Sequence, residues 1–147
     1  MPNSLTANFA AAIRELDASL AQVPERLADV PWRAGGWTRK QVLGHMLDSA
    51  ANNHQRFVRA ALEGGYTGPA YAQQGWVDAH GYAAHSWPTL LAWWRTYHQI
   101  LCAVVERIPE ARLEAPCVVG ADAPVTLRFL IEDYLVHQRH HLAQLRS

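Results

Sequence analysis

The chain has 147 residues, half of them hydrophobic, and its 13 Lys+Arg are balanced by 13 Asp+Glu. One domain over residues 1–147 is expected, large enough to bury about 68–70% of its unfolded surface. Zero formal charge, a single lysine (Lys40) and scattered arginines argue against nucleic acid or an anionic membrane as partner. No run reaches the ~18–20 apolar residues of a membrane span. Met1-Pro-Asn-Ser-Leu-Thr lacks the basic and apolar regions of a signal peptide. Cys102 and Cys117 form no CxxC pair, so reduced thiols and a cytoplasmic location are expected.

The first helix is predicted from Asn3 or Ser4 to Gln22, where Leu5, Phe9, Ile13, Leu16 and Leu20 form an amphipathic ladder. Pro24 ends it. The segment through Pro31, Gly35 and Gly36 is a connection with a short turn near residues 25–28. Thr38-Arg-Lys-Gln41 is a capping box that opens the second helix, with Trp37 placed to staple onto Val42. No breaker follows until Gly64-Gly65, a span of about 26 residues and about 39 Å. Residues 64–85 are irregular and aromatic, with Tyr66, Tyr71, Trp76 and Tyr82. A passage that long is functional or hides a short helix, and Gln73–His80 is the expected one. Ser86 caps a third long helix with Pro88 in its first turn, running to about Arg107. A connection with Pro109, Pro116, Gly120 and Pro124 follows, in which Val118-Val119 is too short an apolar run to decide on a strand. The fourth long helix begins near Thr126. The predicted class is all-α, a four-helix bundle whose long crossover makes the second and third long helices parallel.

The chemistry concentrates in the fourth helix, Asp133-Tyr-Leu-Val-His137-Gln-Arg-His140-His141-Leu-Ala-Gln144-Leu145. His137 and His141 lie one turn apart on one face, in a stripe shared with Leu130, Tyr134, Gln144 and Leu145. Imidazoles aimed inward need partners for their ring nitrogens. Either a metal ion supplies them, at about 2.0–2.1 Å, or hydrogen bonds do. In the second helix His45 shares a polar face with Asp48, Ser49, Asn52 and Arg56, opposite a packing stripe of Leu43, Met46, Leu47, Ala50, Phe57 and Ala61. Such a face is either solvated or the wall of a site.

The combination W-T-x-x-x-V-L-G-H-M-x-D over Trp37–Asp48 and H-x-x-x-H-x-x-Q-L over His137–Leu145 resembles the DinB-like superfamily. These are the small damage-inducible metal-binding bundles, not the DNA polymerase that shares the name. The resemblance implies three histidine ligands at His45, His137 and His141, an up-down-down-up bundle, a divalent metal (nickel or zinc most often) and a homodimer. Members of known activity include thiol-dependent transferases, a mycothiol-dependent isomerase and hydrolase-like proteins.

Three imidazoles leave an ion an open position, the catalytic rather than the structural pattern, suited to activating water or a low-molecular-weight thiol. No HExxH glutamate follows a ligand, which disfavours a metalloprotease. The expectation is a metal-dependent thiol transferase or hydrolase acting on a small molecule. The alternatives are a non-catalytic, stress-linked metal-binding or sensing protein, and a structural bundle with hydrogen-bonded histidines. Asp48 is the candidate general base or imidazole partner, with Asp133 in a similar position. Asn52 and Arg56 are candidates for an anionic substrate. Tyr134 and Gln144 are expected to be structural, and His140, about 100° round from His141, to point away. His54 is expected at the surface or an interface, and His80, His85 and His98 in the loop or packed, with His80 or His85 a lesser candidate for reaching the site. Tyr71 and Trp76 would form a lid or anchor the loop, and Trp93 and Trp94 belong to the core or a dimer interface.

Overall fold

The computed structural model describes residues 4–147. The first helix, α1, spans Ser4–Leu20; Asn3, the other expected start, lies outside the described residues. The ladder Leu5, Phe9, Ile13, Leu16 and Leu20 is buried as the periodicity requires. The second, α2 (Arg39–Glu63), carries the complete capping box: the Thr38 side chain accepts from the Gln41 amide, and the Gln41 side chain accepts from the Thr38 N–H. It ends at Gly64, whose φ of +80° closes the helix in the left-handed conformation that glycine adopts without strain. The short α3 is Gln73–His80 and α4 is Trp87–Arg107, capped by Ser86 with Pro88 in the first turn. Finally α5 is Leu127–Leu145, capped by the Thr126 hydroxyl.

The four long helices form the bundle. Both α1 and α2 pack against α4 and α5, which puts α1 and α2 on a diagonal. Cross-links mark how the helices lie. Asp17 near the end of α1 pairs with Arg95 in the first half of α4 at 3.0 Å. Gln138 of α5 donates to the Met46 carbonyl of α2 at 3.1 Å. The core is apolar and large, with Phe9, Phe57, Trp94, Tyr82 and Tyr134 all nearly inaccessible, and aromatic burial of this kind dominates packing energy.

The all-α expectation needs one correction. A three-stranded sheet joins the two long connections, with β1 (Tyr66–Gly68) parallel to β2 (Pro116–Val119) and β2 antiparallel to β3 (Val125–Thr126). Its strands are two to four residues long, and β1 and β2 pair across about 50 positions, so no local period announces them. The sheet matters because it pins the start of the crossover beside the entry to α5. The far end of the crossover is pinned by Tyr82, whose ring lies against Gly44 and leaves no room for a Cβ there. No helix among the described residues is long and apolar enough to cross a membrane.

Candidate metal centre

Arg39 brings the ends of α2 and α5 together. Its guanidinium is 4% exposed, and Nε donates to the Leu145 carbonyl at 3.0 Å while Nη2 donates to Ser147 O at 2.6 Å. Nη1 donates to the carbonyls of Val30 and Pro31. The first turn of α2 is thereby tied to the last turn of α5, and His45 meets His141 with ring centroids 4.6 Å apart, edge to face.

These two rings open into a cleft of about 680 Å³ whose α2 wall is His45, Ser49, Asn53 and Arg56 and whose α5 wall includes Asp133, His137, His140 and His141. Tyr71 from the crossover closes one side, 6.4 Å from the His45 ring. Trp37 flanks the other face of His45 at 5.1 Å, and its Nε1 donates to Gln74 of α3.

Burial decides the charge state of the inner pair. Desolvation, aided by the neighbouring charges of His141 and His137, lowers the His45 pKa to about 4. His141 is lowered as well, chiefly by burial and against the opposing hydrogen bond from Gln144. Both are neutral at pH 7, the state in which imidazole binds a metal. The His141 Nδ1–H donates to Gln144 Oε1 at 2.9 Å, which fixes the tautomer and leaves Nε2 with its lone pair. His45 Nδ1 is buried with no hydrogen-bond partner. An orphaned ring nitrogen beside a second neutral imidazole fits a metal-binding role.

His137 completes the cleft but not yet a coordination sphere. Its side chain is 62% exposed, and Nε2 lies 3.3 Å from Asp133 Oδ2. Among the described residues no three His, Cys, Asp or Glu stand close enough together to hold an ion. Turning His137 from Asp133 toward its neighbours breaks one exposed pair, which costs about 0–1 kcal/mol.

Several sequence-predicted residues fall elsewhere. Asp48 does not line this cleft: its Oδ1 accepts from Tyr82 at 2.5 Å and lies 3.1 Å from His80, on the flank of α2 covered by Tyr82. It touches no ligand histidine, so neither the general-base nor the imidazole-partner role is served by this arrangement. Burial raises its pKa, against the Tyr82 hydrogen bond and the His80 charge. Asn52 also turns away, donating to the Asp48 carbonyl and lining a second cavity of about 620 Å³. Trp76 lines that second cavity too. His140, expected to point away, sits at the rim of the histidine cleft. His54 binds Tyr97, and His80 stacks on Tyr82 rather than reaching the site. Asn53 and Arg39 are the residues the sequence reading passed over. The wall of the cleft follows the i, i+4, i+8, i+11 stripe from His45, and an eye for that drift around the helix would have chosen Asn53 over Asn52.

Comparison with known proteins agrees with this architecture. The DinB superfamily profile matches residues 8–145. A Bacillus licheniformis protein provisionally named a metal-dependent hydrolase is 27% identical over 133 residues, covering 90% of this chain and 76% of its own length. A Bacillus mycoides protein of the same provisional name is 29% identical across 100% of this chain and 78% of its own length. Among solved structures, YfiT from Bacillus subtilis, described as a probable metal-dependent hydrolase with an unusual four-helix bundle topology, superposes with a TM-score of 0.85. It is 22% identical, over 99% of this chain and 86% of that one. The mycothiol-dependent maleylpyruvate isomerase superposes with a TM-score of 0.78 at 13% identity, over 96% of this chain and 59% of that one. With its profile matched from end to end of the bundle, this chain belongs to the DinB superfamily.

Proposed function

We propose that this protein is a metal-dependent hydrolase of small molecules, with His45, His137 and His141 as the ligands of one divalent ion, nickel or zinc. The observation that carries the reading is the pair His45 and His141: a buried and a half-buried imidazole, both neutral, in ring contact, one with an unpartnered Nδ1, one with its tautomer held by Gln144. The provisional names of the Bacillus relatives support the same class. The bundle is read as up-down-down-up, a direction supported by the Asp17–Arg95, Met46–Gln138 and His98–Tyr134 links.

A divalent ion held there would supply a Lewis acid and a bound water acidified toward pKa ~7. The chain does the rest. Gln144 orients His141, Asp133 holds His137 at the rim, and Trp37 and Tyr71 wall off the His45 ring from water. The three-imidazole set leaves room for a second reading, transfer involving a low-molecular-weight thiol bound as thiolate. A homodimer belongs to the same proposal. The exposed Phe129 and Val136, seven residues apart on α5, offer an apolar stripe that a second copy would cover.

Elemental analysis of untagged protein tests the site first. About one divalent ion per chain is expected in wild type and none in His45→Ala or His141→Ala, with both variants still helical. Full occupancy in either variant would refute the ligand set. Loaded protein is then assayed on small esters and amides, with and without a small thiol; turnover that requires the thiol would replace hydrolysis by transfer. Sedimentation of the same sample reads the oligomeric state.

A further inference from the structure

Two arginines of α2 are buried, and they are treated oppositely. Arg39, 4% exposed, donates to four backbone oxygens. Arg56, 7% exposed, makes one hydrogen bond, from Nη2 to the Pro69 carbonyl at 3.4 Å. A guanidinium has five N–H donors, so most of the hydrogen-bonding capacity of Arg56 is unused. None of the ion pairs among the described residues involves it. Of the nearby acids, Asp133 is committed to His137 and Asp48 to Tyr82 and His80, and Asp122, which lines the same cleft, forms no ion pair with Arg56. The unpaired nitrogens of Arg56 are not sealed in the core: the residue lies in the wall of the histidine cleft, where a ligand can reach them.

We infer that Arg56 is the subsite for a carboxylate on the small molecule this cleft takes. The planar fork of the guanidinium matches a carboxylate in two parallel hydrogen bonds. A dianionic phosphate fits less well, because Asp122 and Asp133 line the same cleft and each added negative charge raises the repulsion. The position is fixed from two sides. Arg56 shares the α2 stripe with His45, and its contact with Pro69 ties it to the crossover segment that carries Tyr71. This inference rests on the proposed function for the identity of the cleft, and it names the substrate class: a carboxylate-bearing small molecule whose remaining part extends toward the imidazoles.

The test needs no turnover. As-purified protein, with its metal content measured, is titrated with N-acetylglycine and with the neutral N-acetylglycinamide, followed by NMR. The carboxylate should bind about 10- to 100-fold tighter, and the Arg56 Nε–Hε resonance should shift with the acid alone. The preference should vanish in Arg56→Gln and persist, weakened, in Arg56→Lys. Equal affinity for the two probes in wild type overturns the assignment, as does a preference undiminished in Arg56→Gln, which would put the anion on another group. Should Arg56→Gln not fold, the wild-type arginine resonance decides alone. Methyl phosphate binding more tightly than N-acetylglycine would overturn the carboxylate class. A protein that binds the acid at Arg56 yet hydrolyses nothing sinks the hydrolase reading and leaves this one standing.

Discussion

His45 and His98 are both buried histidines of the bundle, and burial lowers the pKa of each to about 4. Their surroundings differ in one respect. His98, in α4, is saturated: Nδ1 lies 2.7 Å from the Trp94 carbonyl and Nε2 lies 2.5 Å from the Tyr134 hydroxyl, with the ring stacked on Trp94. A carbonyl can only accept, so Nδ1 carries the proton and Tyr134 donates to Nε2. One turn away along α5, Gln138 accepts from Trp94 Nε1 and donates to the Met46 carbonyl. His45 has Nδ1 with no partner and opens on a cleft. A depressed pKa therefore does not tell a structural histidine from a functional one. The completeness of its hydrogen bonding does.

This contrast can be pressed experimentally. The largest effect is expected from His98→Ala, which leaves a cavity and orphans the Tyr134 hydroxyl; about 3–4 kcal/mol of stability should be lost, read by urea unfolding, while bound metal per folded chain stays unchanged. Loss of metal without loss of stability would reverse the roles assigned to the two histidines. Next is the acid dependence. The neutral ring of His98 is favoured in the folded state, so the unfolded chain binds more protons between its pKa of 6.5 and the folded value of about 4. Stability should therefore fall as pH drops through that window, by about 3 kcal/mol from this residue. Because His45 shares the window, the quantity to measure is the difference between metal-free wild type and His98→Gln. The smallest effect belongs to the cleft. Gln144→Ala releases the His141 tautomer and should weaken metal binding by about 10-fold or somewhat more, with unfolding nearly unaffected. A stability loss as large as that of His98→Ala would mark Gln144 as a core residue instead.

The legible parts of this molecule are those with a local cause. The Thr38–Gln41 capping box, the Ser86 and Thr126 caps and the Gly64 stop each act within a few residues, and the helices they bound follow the sequence reading, including the short Gln73–His80. The i, i+4 spacing likewise puts His137 and His141 on one face. The sheet was not legible, because Tyr66 and Cys117 become neighbours only when the bundle closes. Asp48 and Asn52 fall outside the cleft for a related reason. They sit beside His45 on a helical wheel, but Asp48 is closer still to the Gly44 flank of α2, where Tyr82 packs and donates to its carboxylate.

By itself, then, the sequence determined where the helices start and stop, the amphipathic stripes that bury Leu5 to Leu20 and Val42 to Phe57, and the histidine pair on α5, all consequences of a 3.6-residue period and of caps acting within one turn. Only the tertiary structure decided which polar side chains of α2 face α5 and which face α4, that His98 is saturated while His45 is not, and that Arg39 is satisfied while Arg56 is left facing a cleft. The reason is that hydrogen-bond partners of buried groups come from distant segments, Trp94 for Gln138 and Leu145 for Arg39. Burial sets the penalty for a missing partner only after those segments have met.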